Sequence, residues 1–403
     1  MSLHFARRMD TVHRSFIREI LKVTASPEVI SFAGGLPNPD LFPVQEIAAA
    51  SMAALQDQGA SALQYSTTEG HPPLREYIAK RYKEKHGMDV DPDNIIITTG
   101  SQQCLDLVAK VMLDPGDRVV IERPGYLGAI QAFSFFNPVF TPVDLEDDGP
   151  NLEMLEQALA SGEDGPPKLY YAVTNFQNPS GLSYSLEKRR AVAELLRGSD
   201  VLFMEDDPYG ELRFSGEHLP PLVSLLEGNG LLLGTFSKVA APGIRLGWVV
   251  APGEIRDKLI IAKQASDLHT SILTQRIMHR YLLDNDLDAH ISRIRENYGR
   301  QCDAMLEHID RHFPGDVRVT RPQGGMFLWA SLPAGCSSMD LFDMSIARNV
   351  AFVPGKPFYV DGQGANTMRL NFSNSNEERI EQGITRLGQC IEAFLAREAG
   401  GRV

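Results

Sequence analysis

Between Asn94 and Val250 one pattern recurs seven times: a short run rich in β-branched and aromatic residues, then a turn, then a polar or amphipathic stretch. The runs are NIIITTG, DRVVIE, PVFTPVDL, KLYYAVT, DVLFMED, GLLLGTFS and RLGWVVAP. Strands alternating with helices of this length indicate βαβ units and an α/β fold whose mostly parallel sheet is covered on both faces. In such open sheets ligands bind beyond the carboxyl ends of the strands, so the residues that follow each strand are the ones to read for chemistry.

The remainder of the chain is organised differently. A helical tract from about Glu254 to His312, interrupted near DNDLD, carries the chain across to a second unit. After Pro314 the text changes to VRVTRPQGGMFLWASLP, a helix SMDLFDMSIARN, short strands VAFVPG and TMRLNFS, and a closing amphipathic helix. This predicts a smaller α+β domain. We expect an N-terminal segment over 1–45, a large domain over 46–290 with a seven-stranded sheet, and a small domain over 291–403. The first twenty-two residues contain Asp10 and Glu19 and lack an apolar core, so they read as an amphipathic helix rather than a targeting peptide, and the cytoplasm is the expected location.

Composition narrows the function classes. The 403 residues carry a formal net charge of −13 without a basic run, which argues against a nucleic-acid partner. No apolar stretch is long enough to span a bilayer. Cys104, Cys302, Cys336 and Cys390 are scattered with no CxxC pair, so neither a disulfide framework nor a metal site is suggested.

Taken one at a time, the strand ends are ambiguous. Ser101 and Gln102 begin a helix after a Gly turn, where free N–H groups cradle anions, but Ser101 also suits a simple cap. Tyr126 follows the second strand and offers a stacking ring or ordinary core packing. Asn178 in NFQNPSG is an amide aimed at the cleft or a common Asx-turn. Asp206 leaves a strongly apolar strand with Tyr209 three residues on, and needs a cationic partner, which a structural ion pair would also supply. Lys238 closes GTFSK, flanked by Thr235 and Ser237 and followed by Arg245; a lone lysine is usually a solvated charge.

Their order is more informative than any one of them. Successive strand ends offer an anion cup, a ring, an amide, a carboxylate with a phenol, and a lysine with hydroxyls and an arginine. Pyridoxal 5′-phosphate (PLP) needs all of these at once: a phosphate site, an amine for its aldehyde, an acid for its ring nitrogen and neutral donors for its ring oxygen. With SFAGGLPNPDLFP, LQYSTTEGHPPLRE, TTGSQQCLDL, NFQNPSG, EDDPYGEL, TFSKVAAPGIRLGW, RPQGGMFLW and MRLNFS in this order, nearly the whole chain resembles the fold-type I, PLP-dependent class I aminotransferases. Within that family it is most similar to the branch of 2-aminoadipate, kynurenine/aminoadipate and archaeal aromatic aminotransferases.

The resemblance implies specific roles. Lys238 would bond the cofactor's aldehyde and then act as base and acid, Asp206 would keep the ring nitrogen protonated, and Tyr209 and Asn178 would hydrogen-bond the ring oxygen. Tyr126 would stack on the ring. Ser101, Gln102, Thr235, Ser237 and Arg245 would hold the phosphate, joined by Tyr65 from a second subunit of a homodimer. Arg369 would grip the substrate α-carboxylate, Gly35 would line the pocket, and Arg18, on the N-terminal helix, would pair with a distal carboxylate. The substrates implied are amino acids (2-aminoadipate, glutamate, aromatic or branched apolar) and 2-oxo acids such as 2-oxoglutarate. A PLP-dependent lyase on the same fold is a rival reading. A PLP-sensing regulator is another, but it needs a basic DNA-binding domain ahead of the motifs, which begin here almost at once.

Overall fold

The computed structural model describes residues 4–10, 20, 26, 28–160, 162, 165–226 and 228–400. All seven expected strands form: β1 Ile95–Thr98, β2 Arg118–Arg123, β3 Val139–Glu146, β4 Leu169–Ala172, β5 Leu202–Asp206, β6 Gly230–Thr235 and β7 Gly247–Val250. They make one sheet in the order β1-β7-β6-β5-β4-β2-β3. Neighbours from β6 through to β3 are parallel, and β7 runs against both β6 and β1. The sheet has eight strands rather than seven, because Gly149–Pro150 folds back on β3 through the two-residue turn Asp147–Asp148. Gly149 takes a φ of 139°, which an L side chain rarely adopts.

Every residue of β4 and β5 is buried. That follows from helices packing on both faces of a parallel sheet, which turns the strands into continuous rather than alternating apolar runs. β3 is different: among its eight residues only Val143 is buried, and it contains Pro142, which lacks an N–H for a central ladder. Because β1, β2, β4, β5 and β6 point the same way, their carboxyl ends reach one edge of the sheet together.

The smaller sheet contains β8 Arg318–Val319, β9 Phe327–Ser331, β10 Val353–Pro354 and β11 Thr367–Asn371, antiparallel in the order β8-β9-β11-β10. The chain ahead of Gly35 is tied to it. Ile30–Ser31 pairs in parallel with Val350–Ala351, and the Asn371 amide donates to Phe32 O at 2.8 Å. The expected helical tract is three helices, Gly253–Ser266, Ile272–Asp284 and Leu287–His312. Asp286 caps the last by accepting from the Ala289 amide at 3.0 Å, and that helix runs unbroken past residue 290. Near the N-terminus Arg7–Asp10 forms one 3-10 turn; the rest of the expected first helix, with Arg18 and Glu19, lies almost wholly outside the described residues. Among the described residues no helix is long and apolar enough to cross a membrane.

Candidate active site

A cavity of about 370 Å³ opens at the carboxyl edge of the large sheet, and Gly35 and Arg369, tied to the small sheet, close it from the other side. Of the expected site residues that are described, all but Tyr65 line it.

Lys238 sits in the turn after β6. Its Nζ donates to Gly35 O at 3.0 Å and lies 5.9 Å from the centre of the Tyr209 ring. Among the described residues no carboxylate forms an ion pair with it. Burial, with the Arg369 and Arg245 charges facing it, lowers its pKa to about 8. About one amine in ten is therefore neutral at pH 7.

Asp206 ends β5, 3% exposed. Tyr171 of the adjacent strand β4 donates to its Oδ2 at 2.9 Å, whereas Oδ1 is buried with no partner. Burial outweighs the Tyr171 hydrogen bond and raises the carboxyl to about 7. A buried carboxylate with one open oxygen, facing a cavity, fits a protonated ring nitrogen.

Arg369, on β11, is 1% exposed. Its Nη1 donates to Asn178 Oδ1 and its Nη2 to Ala33 O, both at 2.8 Å. The guanidinium lies 4.4 Å from the Phe327 ring centre and 5.5 Å from that of Phe358, and its Nε has no partner. Burial lowers its pKa to about 10, so the group stays charged at neutral pH. A buried planar cation held only by neutral groups suits a carboxylate ligand. Asn178 is 7% exposed and Tyr209 4%; burial also raises the Tyr209 phenol.

The far end of the cavity is the start of the helix Ser101–Met112, whose first N–H groups have no partners within the helix. Two glycines bring other elements against it. A Cβ on Gly100 (φ 75°) would clash with Arg245 Nη2, and one on Gly247 would lie 2.6 Å from the Ser101 amide. Arg245 is in the left-handed region itself (φ 56°), with Nη1 and Nη2 each 3.3 Å from a backbone carbonyl. Thr235 Oγ1 donates to Leu246 O at 3.0 Å and accepts from the Ser237 amide at 3.1 Å, leaving the Ser237 hydroxyl, 2.9 Å away, as the freer donor. Helix N–H groups, a hydroxyl and a guanidinium in this arrangement can cradle an anion.

Tyr126 lines the wall beside the Asp206 carboxylate, and Gln102 Nε2 donates to Gly128 O at 3.0 Å, fastening the first turn of the helix Leu127–Ser134, which Tyr126 precedes, to the start of the helix at Ser101. Tyr65 lies apart, 80% exposed, with its ring edge-on to His269 at 5.8 Å. Arg18 falls outside the described residues. Tyr171, Phe327 and Phe358 join the site without a motif that marks them in the sequence. A phenol on the fully buried strand LYYA signals that some group must accept its proton, and that was the available clue for Tyr171.

Residues 27–387 match the sequence model of the class I and II aminotransferases. The chain is 43% identical over 396 residues to a 2-aminoadipate transaminase of Thermus thermophilus, covering 97% of each chain. It is 41% identical to an aromatic-amino-acid aminotransferase of Thermococcus litoralis, over 98% of this chain and 95% of the other. A crystal structure of the α-aminoadipate aminotransferase of Thermus thermophilus, complexed with N-(5′-phosphopyridoxyl)-L-leucine, superposes with a TM-score of 0.90 at 42% identity, over 97% and 98% of the two chains. A cavity with an amine, an acid and an anion cradle thus sits in a chain that matches this family along most of its length, and the chain belongs to the class I and II aminotransferases, with PLP as its cofactor and amino-group exchange between amino acids and 2-oxo acids as its reaction.

Proposed function

We propose that this enzyme accepts 2-aminoadipate, glutamate and large apolar or aromatic amino acids, with a 2-oxo acid such as 2-oxoglutarate as acceptor, and that the cavity residues divide the work as follows. The observation that carries the division is the unpartnered buried Oδ1 of Asp206 opposite a lysine with a lowered pKa in the same cavity. Bound PLP supplies an electron-withdrawing ring, conjugated with the amino acid nitrogen, that takes up the electron pair left when the Cα proton departs. Asp206 Oδ1 holds a proton at the ring nitrogen and so keeps that ring electron-poor. Lys238 Nζ, once free of the cofactor, would remove the Cα proton and return it to the former aldehyde carbon, two atoms along on the far side of the nitrogen. The helix start at Ser101 and Gln102, with Ser237 and Arg245, binds the phosphate, and Thr235 sets the turn that carries Ser237. Asn178 and Tyr209 donate to the ring oxygen, and Tyr126 covers the ring.

Arg369 orients the substrate by its α-carboxylate. Arg369→Gln is expected to raise KM for every amino acid by roughly a hundredfold, the loss of two charged hydrogen bonds at about 1.5 kcal/mol or more each. Initial-rate kinetics on one acidic and one apolar substrate check this, and a change confined to one of them would remove the role.

A half-reaction screen tests the substrate range: single amino acids are added to the purified enzyme and loss of the bound cofactor's aldehyde absorption is followed. Response to none of the named amino acids would overturn it. Release of ammonia or CO₂ with the cofactor's starting absorption restored would instead favour the lyase reading. Arg18 is the proposed reader of a distal carboxylate. Arg18→Ala should raise KM for 2-aminoadipate and glutamate about ten- to a hundredfold and leave leucine and phenylalanine nearly unchanged. Equal losses for both classes would assign Arg18 to the fold.

The reading includes a homodimer with shared sites, in which Tyr65 reaches the partner's phosphate, and a cytoplasmic setting. Exposed apolar side chains on and after the helix Val44–Gln58 support a second copy: Val44 is 62% exposed, Met52 58%, Leu63 69% and Tyr65 80%. Sedimentation at assay concentration tests it, and a fully active monomer would exclude Tyr65 from the site. The same reading divides the chain into a segment over 1–45, a large domain over 46–290 and a small domain over 291–403.

A further inference from the structure

Glu122, the fifth residue of β2, is 2% exposed, and among the described residues no cation pairs with it. Its hydrogen-bond partners are neutral donors. Tyr184 Oη donates to Oε1 at 2.7 Å; Gln177 Nε2 and the Val173 amide donate to Oε2 at 3.1 and 3.2 Å. Burial exceeds what these donors return and raises the carboxyl to about 8. An apolar side chain would pack in the same place at lower cost, so the carboxyl is there for its acceptors.

Those acceptors reach two loops. Gln177, fully buried, donates from the same Nε2 to Pro124 O at 2.7 Å, and its Oε1 accepts from the Ser180 amide at 2.8 Å. Pro124 lies two residues before Tyr126, and Gln177 immediately precedes Asn178. One amide therefore joins the loop of the ring-covering tyrosine to the loop of the ring-oxygen donor, and Glu122 sets the plane of that amide. The loop of Asn178 then passes this position to Arg369 through the 2.8 Å contact between the two side chains.

We propose that Glu122, acting through Gln177, is a positioning residue of amino transfer: it fixes the loop carrying Tyr126 against the loop carrying Asn178, and so sets where the cofactor ring lies relative to Arg369. The role rests on the assignments of Tyr126 and Asn178 given above. It depends on hydrogen-bond acceptors at Oε2 and not on charge. A glutamine at 122 can turn its oxygen to Gln177 and Val173 and its NH₂ to the Tyr184 hydroxyl, which then donates onward to Tyr170 Oη, 3.2 Å away.

The test uses the purified holoenzyme and the same protein freed of cofactor, at 25 °C, with two readouts besides turnover: the pH midpoint of the bound cofactor's visible absorption, and the Kd for added PLP. Gln177→Leu and Glu122→Leu should move the midpoint upward, because a ring oxygen that loses a well-placed donor holds a proton more tightly. They should weaken PLP binding and kcat/KM by about ten- to a hundredfold, the scale of a misplacement transmitted to the reacting centre. Glu122→Gln should stay within about threefold of wild type. Gln177→Asn, whose amide is too short to reach both Glu122 and Pro124, gives the same test if the leucine variants do not fold. Asn178→Ala is the control for the functional reading. If it moves the midpoint and folded Gln177→Leu or Gln177→Asn does not, the positioning role is wrong and the functional reading stands; if Asn178→Ala moves nothing, both fall. Leucine variants with a lowered Tm but wild-type midpoint and Kd would make Glu122 a purely structural residue.

Discussion

Lys238→Ala is expected to lose turnover by about 10³-fold or more while still binding PLP in the cradle at Ser101, Gln102, Ser237 and Arg245, since the covalent hold and the proton carrier vanish together. Borohydride treatment of the wild-type enzyme followed by peptide mass analysis should find the cofactor on Lys238, and a label on any other lysine would refute the assignment. The lowered pKa makes a second, pH-resolved expectation. The amine that attacks an aldehyde is the neutral one, and a lysine lowered to about 8 gains neutral form as pH rises through that value. Reconstitution of the cofactor-free protein should therefore accelerate about tenfold per pH unit below 8 and level off above it. A surface lysine near 10.5 would show no plateau below pH 10, so the position of the plateau separates a buried, cation-faced amine from an ordinary one.

Asp206→Asn is expected to slow proton removal from Cα by about 10²- to 10⁴-fold in single-turnover experiments, because the amide keeps the shape but cannot hold the ring nitrogen protonated. Near-wild-type rates would end the proposed role. The same substitution should act in the opposite sense on the stability of the cofactor-free protein. Asp206 is raised to about 7 in the folded state by burial, above its value in an unfolded chain near 3.9, so the folded protein binds the proton more tightly. Stability contributed by the protonated acid is complete below the unfolded value and is lost as pH rises through 7. At pH 8 the wild type thus carries a buried charge costing on the order of a few kcal/mol, and Asp206→Asn should unfold at a higher temperature than wild type there. At pH 3, where both side chains are neutral, the two proteins should unfold alike. Thermal unfolding at the two pH values separates the electrostatic cost of the acid from its use in the reaction.

Local patterns in the sequence were enough to identify the seven strands, the mostly parallel sheet and the positions where polar side chains leave it. Those features depend on periodicity and turn residues within a few positions: Gly100 before a helix, the Pro–Gly turns after β2 and β6, an acid at the end of LFMED. The motifs also stood in an order that matched one cofactor. The eighth strand at Gly149–Pro150 is not legible in the sequence because two residues carry no periodicity; the turn residues Asp147 and Asp148 and the glycine after them are its local signal.

The functional distances belong to the tertiary structure. Tyr171 reaches Asp206 only because β4 and β5 pair with Tyr171 opposite Met204, and Asn178 meets Arg369 across 191 positions of sequence. Whether Asp206 has an open oxygen, Arg369 two phenyl rings beside its guanidinium, or Glu122 three neutral donors depends on which strands become neighbours. Burial then turns those contacts into shifted pKa values, since a charge loses water according to everything packed around it and not according to the residues beside it in the chain. The sequence by itself determined which chemical groups stand at the ends of the strands; the strand order and the packing of the small sheet across them decided which of those groups meet, and in what state of charge.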